Sequence, residues 1–182
     1  MKNLFFFALV MYISFAGTAG PVSAQQYVPQ QIVEALSPEK AGPMVRTLQQ
    51  QNALAIVENQ PIPSAFDFAS VNLAVGFDDE SHILNVQGMT SLRSLAMALK
   101  DPSLSNQRFQ IGSHVSSDGN LTTAQRLTSL RAQAVVEHLA AFYEIEASRL
   151  IPVGYGATTP LQPGQGVGVE NTRIQVINIS GM

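Results

Sequence analysis

The stretch spanning residues 109–136, FQIGSHVSSDGNLTTAQRLTSLRAQAVV, constrains the fold most. Phe109 and Ile111 alternate as on a half-buried strand. A polar loop follows, dense in hydrogen-bonding side chains: Ser113, His114, Ser116, Ser117, Asp118 and Asn120. Thr122 or Thr123 is placed to cap a long helix. Along that helix Ala132, Val135, Val136, Leu139, Phe142 and Tyr143 recur at helical spacing and predict one apolar face, with Arg131 at its edge. A helix with one apolar stripe needs a layer to cover it, and the preceding strand supplies the start of a sheet. Acceptors and hydroxyls facing a fixed cation suggest a site for a small charged ligand.

The flanking segments extend the pattern. Val71, Leu73, Val75 and Phe77 alternate, predicting a strand over 71–77 that Asp78-Asp79-Glu80-Ser81 breaks. Leu92, Leu95, Ala96 and Leu99 mark a helix over 85–100, with Lys100 suiting its C-terminal dipole and Asp101-Pro102 ending it. Further strands are predicted at 151–153, before a Gly154-Tyr155-Gly156 turn, and at 173–179. The order is βαβαβ-β. It predicts an α/β (α+β) sandwich, a mixed sheet with two main helices packed on one face.

The N-terminus addresses the chain. Lys2, the apolar run LFFFALVMYISFAG and the small residues ending at Val22-Ser23-Ala24 form a signal-peptide pattern over residues 1–24. The apolar run is short of the ~20 residues that span a bilayer. The mature chain is therefore expected to be exported without a transmembrane segment. Cysteine is absent, which excludes disulfides, thiolate–zinc sites and lipidation of a new N-terminal cysteine. Residues 25–70 are rich in Gln and Pro and read as an N-terminal arm or linker, with short helices at 30–36 and 44–54. The arm is expected to act as a tether; the alternative is docking, on the domain or on an envelope partner, through Ile32, Val33 and Leu36.

Several chemistries are set aside. With 13% charged residues and a net charge of −3, the chain lacks the basic stripe that nucleic acid requires. His82, His114 and His138 lack metal-ligand spacing. Gly164-Gln165-Gly166-Val167-Gly168 has neither the strand nor the helix of a dinucleotide loop, and no cofactor is implied. Ser116 or Ser117 with His114 and Asp118 offers the residue types of a hydrolytic triad. Their crowding into one loop opposes the required geometry, and no enzyme activity is expected.

From about residue 71 to 180, some 60% of the chain, the sequence resembles the OmpA-like domain family of Gram-negative envelopes. The family pattern is a strand ending Gly-His-Thr-Asp, a loop glycine, Asn-x-x-Leu-Ser-x-x-Arg-Ala-x-x-Val, a Gly-x-Gly turn and a terminal Asn-Arg-Arg-Val-Glu strand. His114, Gly119, the run Leu127-Thr128-Ser129-Leu130-Arg131-Ala132, Ser148-Arg149-Leu150, Val153-Gly154-Tyr155-Gly156 and Asn171-Thr172-Arg173-Ile174-Gln175 match it in order. The resemblance implies noncovalent binding of peptidoglycan, the partner, and a place in the periplasm at the outer membrane or wall. In the family an aspartate and the helix arginine hold the diaminopimelate of the stem peptide.

The departures bear on that site. The family aspartate falls on Ser116, the helix asparagine on Ala124 and the first arginine of the terminal pair on Thr172, whereas Arg131 is kept. Losing one charge-assisted partner costs about 1.5–3 kcal/mol, roughly ten- to a hundred-fold in affinity. Asp118 could reach the ammonium instead, or form an Asx turn with Gly119. Arg131 could equally cover the core edge. The hypothesised peptidoglycan contacts are Arg131, Ser116, Asp118, His114, Asn171 and Arg173. Two readings stay open: a peptidoglycan-binding module, or a degenerate domain that has lost binding and serves as an interaction or structural module.

Overall fold

Three helices and four strands are defined within residues 28–40, 68–116, 120–159 and 172–180, the parts described in the computed structural model. In chain order they are α1 (Pro29–Leu36), β1 (Ser70–Leu73), α2 (Val86–Leu99), β2 (Phe109–His114), α3 (Leu121–Tyr143), β3 (Leu150–Gly156) and β4 (Arg173–Asn178). The sheet is mixed, in the order β1-β4-β2-β3. β2 runs parallel to β3 and antiparallel to β4, with Phe109 opposite Asn178 and His114 opposite Arg173. The predicted α/β sandwich and its βαβαβ-β order are what the chain adopts.

Alternation along β2 separates two layers. Phe109 and Ile111 join Leu92, Leu95, Leu99, Val135 and Leu139 in the core between sheet and helices. On the reverse face Ile151, Val153, Tyr155 and Ile177 form a second cluster with Phe68 and Ala69. Two glycines allow close approach. A Cβ at Gly154 would lie 2.5 Å from the backbone nitrogen of Ser129, so glycine lets α3 settle on β3. A Cβ at Gly112 would lie 2.7 Å from the Tyr155 ring, which therefore lies flat across β2.

Three details differ from the sequence reading. The strand over 71–77 stops at Leu73; Val75 stays buried, and Phe77 survives only as an isolated bridge to Leu84. The turn at Gly154–Gly156 is instead the end of β3. Phe142 is 73% exposed: it lies in the last turn of α3, beyond Leu139, the last buried residue of that helix.

α1 bears on the tether expectation. Ile32 and Leu36 are wholly buried in the main core, Val33 packs against it, and the Leu36 carbonyl accepts a 2.8 Å bond from Asn178 Nδ2. This part of the arm docks on the domain, since two aliphatic side chains at one helical spacing gain about 1.5–3 kcal/mol each on burial. The signal-peptide pattern, the helix predicted at 44–54 and the Gly164–Gly168 run lie outside the described residues.

Candidate functional site

α3 is started by Asn120, not by Thr122 or Thr123 as expected. Its side-chain oxygen accepts from the backbone N–H groups of Thr122 and Thr123, at 2.9 and 3.2 Å. This satisfies donors that the first helical turn leaves open. Because the cap comes immediately after the polar loop, the first turns of α3 face the end of β2.

Opposite them stands the turn that follows Phe77. Asp78 N–H donates to the Ile83 carbonyl at 2.9 Å and Ser81 N–H to the Asp78 carbonyl at 3.0 Å, closing it tightly. Glu80 takes a left-handed φ of 51° within it. Asn85 then caps α2, accepting from Gly88 N–H, while its Nδ2 donates to the Phe77 carbonyl.

Between this turn, the end of β2 and α3 lies an open cleft of about 670 Å³. Glu80, Ser116, Asn120, Leu127, Arg131 and Thr172 are among its walls. Arg131 is its buried cation, only 8% exposed. Nε donates to the Ser81 carbonyl at 2.7 Å, and the guanidinium lies over the Phe77 ring, 4.7 Å from its centroid. Among the described residues its terminal amino groups have no hydrogen-bond acceptor and no carboxylate lies within ion-pair distance. Burial lowers its pKa, yet a guanidinium remains charged at neutral pH. The geometry is that of a fork held at one tine and open at the others, suited to a carboxylate. Ser116 reaches the same cleft, its backbone N–H donating to Thr172 Oγ1 at 3.2 Å.

The family model for OmpA matches residues 76–173, more than half of the chain. The protein belongs to the OmpA family. Among solved structures, a MotB-like protein from Desulfovibrio vulgaris is 18% identical, covering 82% of this chain and 94% of that one with a TM-score of 0.53. The periplasmic domain of Helicobacter pylori MotB is 19% identical, covering 60% and 74% with a TM-score of 0.50. A peptidoglycan-associated lipoprotein from Burkholderia pseudomallei is 21% identical, covering 60% and 86% with a TM-score of 0.45. No curated protein matches at the sequence level.

In this OmpA-family domain the sequence-predicted site residues divide between two faces of the sheet. Arg131 and Ser116 share the cleft. His114 and Arg173 do not line it. His114 is buried and stacked on Tyr155, with centroids 4.5 Å apart. Its Nε2 lies 3.0 Å from Gln175 Oε1 and its Nδ1 2.9 Å from Thr159 Oγ1. If Nε2 donates to the amide oxygen, Nδ1 accepts from the hydroxyl, which is a neutral tautomer. Burial, then the nearby Arg173 cation, pushes its pKa down to about 4. Arg173 Nε donates to Asn72 Oδ1 at 3.0 Å and its terminal nitrogen to the Thr159 carbonyl at 3.1 Å. Both residues brace strand ends on the reverse face. Asp118 and Asn171 lie outside the described residues.

Glu80 and Thr172 were missed as cleft residues. Asp78-Asp79-Glu80-Ser81 announced a strand break, but nothing in its spacing told which of the acids lines the cleft. Among the described residues no helix is long and apolar enough to cross a membrane, and no cluster of His, Asp or Glu is arranged to hold a metal.

Proposed function

We propose that this domain is an exported, non-enzymatic envelope module that binds peptidoglycan noncovalently, taking the diaminopimelate of the stem peptide into the Arg131 cleft. The observation that carries the reading is the half-committed guanidinium. One nitrogen is fixed by the Ser81 carbonyl, the plane is set by Phe77, and the remaining donors are open to a carboxylate. Such preorganisation lowers the ordering cost of a bidentate contact. Ser116 offers an uncharged oxygen at the end of β2. Asp118 and Asn171 remain candidates from the family resemblance, and His114 and Arg173 act by holding the ends of β2 and β4. Binding takes place in the periplasm, against the wall.

A second reading has one observation in its favour. The position that carries the family acid is Ser116, which brings no charge to the cleft. On that reading the fold persists as an interaction or structural module. Cosedimentation with purified diaminopimelate-type sacculi decides between them. The wild type is expected to pellet, Arg131→Ala to bind ten- to a hundred-fold more weakly as one charge-assisted contact is lost, and Ser116→Asp to bind more tightly. A wild-type protein that stays in the supernatant, or an Arg131→Ala variant that pellets equally, sinks the binding reading.

A further inference from the structure

The cleft is lined by two further charged side chains besides Arg131: Arg126, which is exposed, and Glu80. Glu80 lines the same cleft, and it neighbours Ser81, whose carbonyl fixes Arg131 Nε at 2.7 Å. The turn that carries Glu80 is thus tied to Arg131, and among the described residues none of Glu80, Arg126 and Arg131 is in an ion pair. Glu80 is also one of two non-glycine residues with positive φ among the described residues, at a turn position that glycine or asparagine would occupy with less strain. A strained residue at a ligand-sized cleft motivates a functional hypothesis. A buried cation flanked by an exposed one, with an anion lining the same cleft, is complementary to a ligand that carries both a carboxylate and an ammonium.

Resting on the peptidoglycan reading, we propose that Glu80 supplies a negative charge to the cleft, where Ser116 brings none. Arg131 takes the carboxylate and Glu80 the ammonium of an α-amino-acid group, which the free end of diaminopimelate carries on one carbon. On this assignment the turn before α2 supplies the acid that the family pattern places at Ser116. No bond is made or broken.

The test uses protein expressed from its full sequence and titrated with a soluble diaminopimelate-containing muropeptide, free or with its ammonium acetylated. The free muropeptide should bind the wild type at least tenfold more tightly than the acetylated one. Glu80→Gln should erase that difference, and Ser116→Asp added to Glu80→Gln should restore it. Equal wild-type affinity for the free and acetylated muropeptides overturns the assignment without any variant having to fold. So does a folded Glu80→Gln that keeps the preference. If Arg131→Ala abolishes binding while Glu80→Gln binds as the wild type does, the cleft reading stands and the role of Glu80 falls. If the wild type binds no muropeptide, both fall.

Discussion

His114 shows how much one residue's surroundings decide. In the sequence it stood at the family histidine position in a polar loop, an apparent ligand contact. In the fold it is sealed between Tyr155, Gln175 and Thr159, with Arg173 close by. Its pKa of about 4 lies below the ordinary histidine value of 6.5, so the unfolded chain takes up a proton before the folded one does. The stability contributed by neutral His114 is complete above pH 6.5 and is lost as the pH falls towards 4. By pH 4 the loss is about 3 kcal/mol, from about 1.36 kcal/mol per pKa unit. Urea midpoints measured from pH 7.5 to 4 should fall accordingly in the wild type. His114→Gln should be less stable at pH 7.5 but show a flatter decline. An equally steep decline in that variant would assign the pH dependence to other groups.

At the scale of elements, periodicity was a dependable guide to what is buried and a poor one to where elements end. Leu92, Leu95, Ala96 and Leu99 announced α2, and all four are buried. Its C-terminal end is held by a contact distant in sequence. Arg149 holds the C-terminal end of α2 from the turn immediately before β3. Its terminal nitrogen donates to the carbonyls of Leu99 and Leu104 at 3.0 and 2.8 Å, and Nε to that of Gln107 at 3.0 Å. The guanidinium is also 5.8 Å from the Phe109 ring centroid. A lysine ammonium cannot place donors along this fork with the same geometry. Arg149→Lys should therefore cost about 2 kcal/mol, the range of one or two charge-assisted bonds, read as a lower urea midpoint with an unchanged slope. A midpoint within experimental error of the wild type would show these carbonyls to be equally well served by water. No local window of sequence contains this clamp, which explains why the position was legible only as part of a family match.

The whole molecule divides its work between two regions. The chain order of strands and helices and the helix-covered face were legible because alternation and helical stripes report directly on burial; the sheet order β1-β4-β2-β3 was not. The cleft was legible in half: the family match found Arg131 and Ser116, but the pairing of a distant turn with α3 is a tertiary fact that no spacing encodes. α1 was the hardest to read, since Ile32 and Leu36 offer a single amphipathic turn that gains meaning only from a core able to receive it. Together their burial is worth about 3–6 kcal/mol, and domains of this size are stable by about 5–15 kcal/mol. Residues from α1 do not line the cleft. A chain beginning at residue 41 should thus melt lower by on the order of 10 °C, losing those side chains and the acceptor of Asn178. Below its melting point it should still pellet with sacculi as the full chain does. A truncated chain that melts normally would make α1 a dispensable contact. One that stays folded but no longer pellets would place part of the wall-binding surface on the arm, and the cleft alone would not account for recognition.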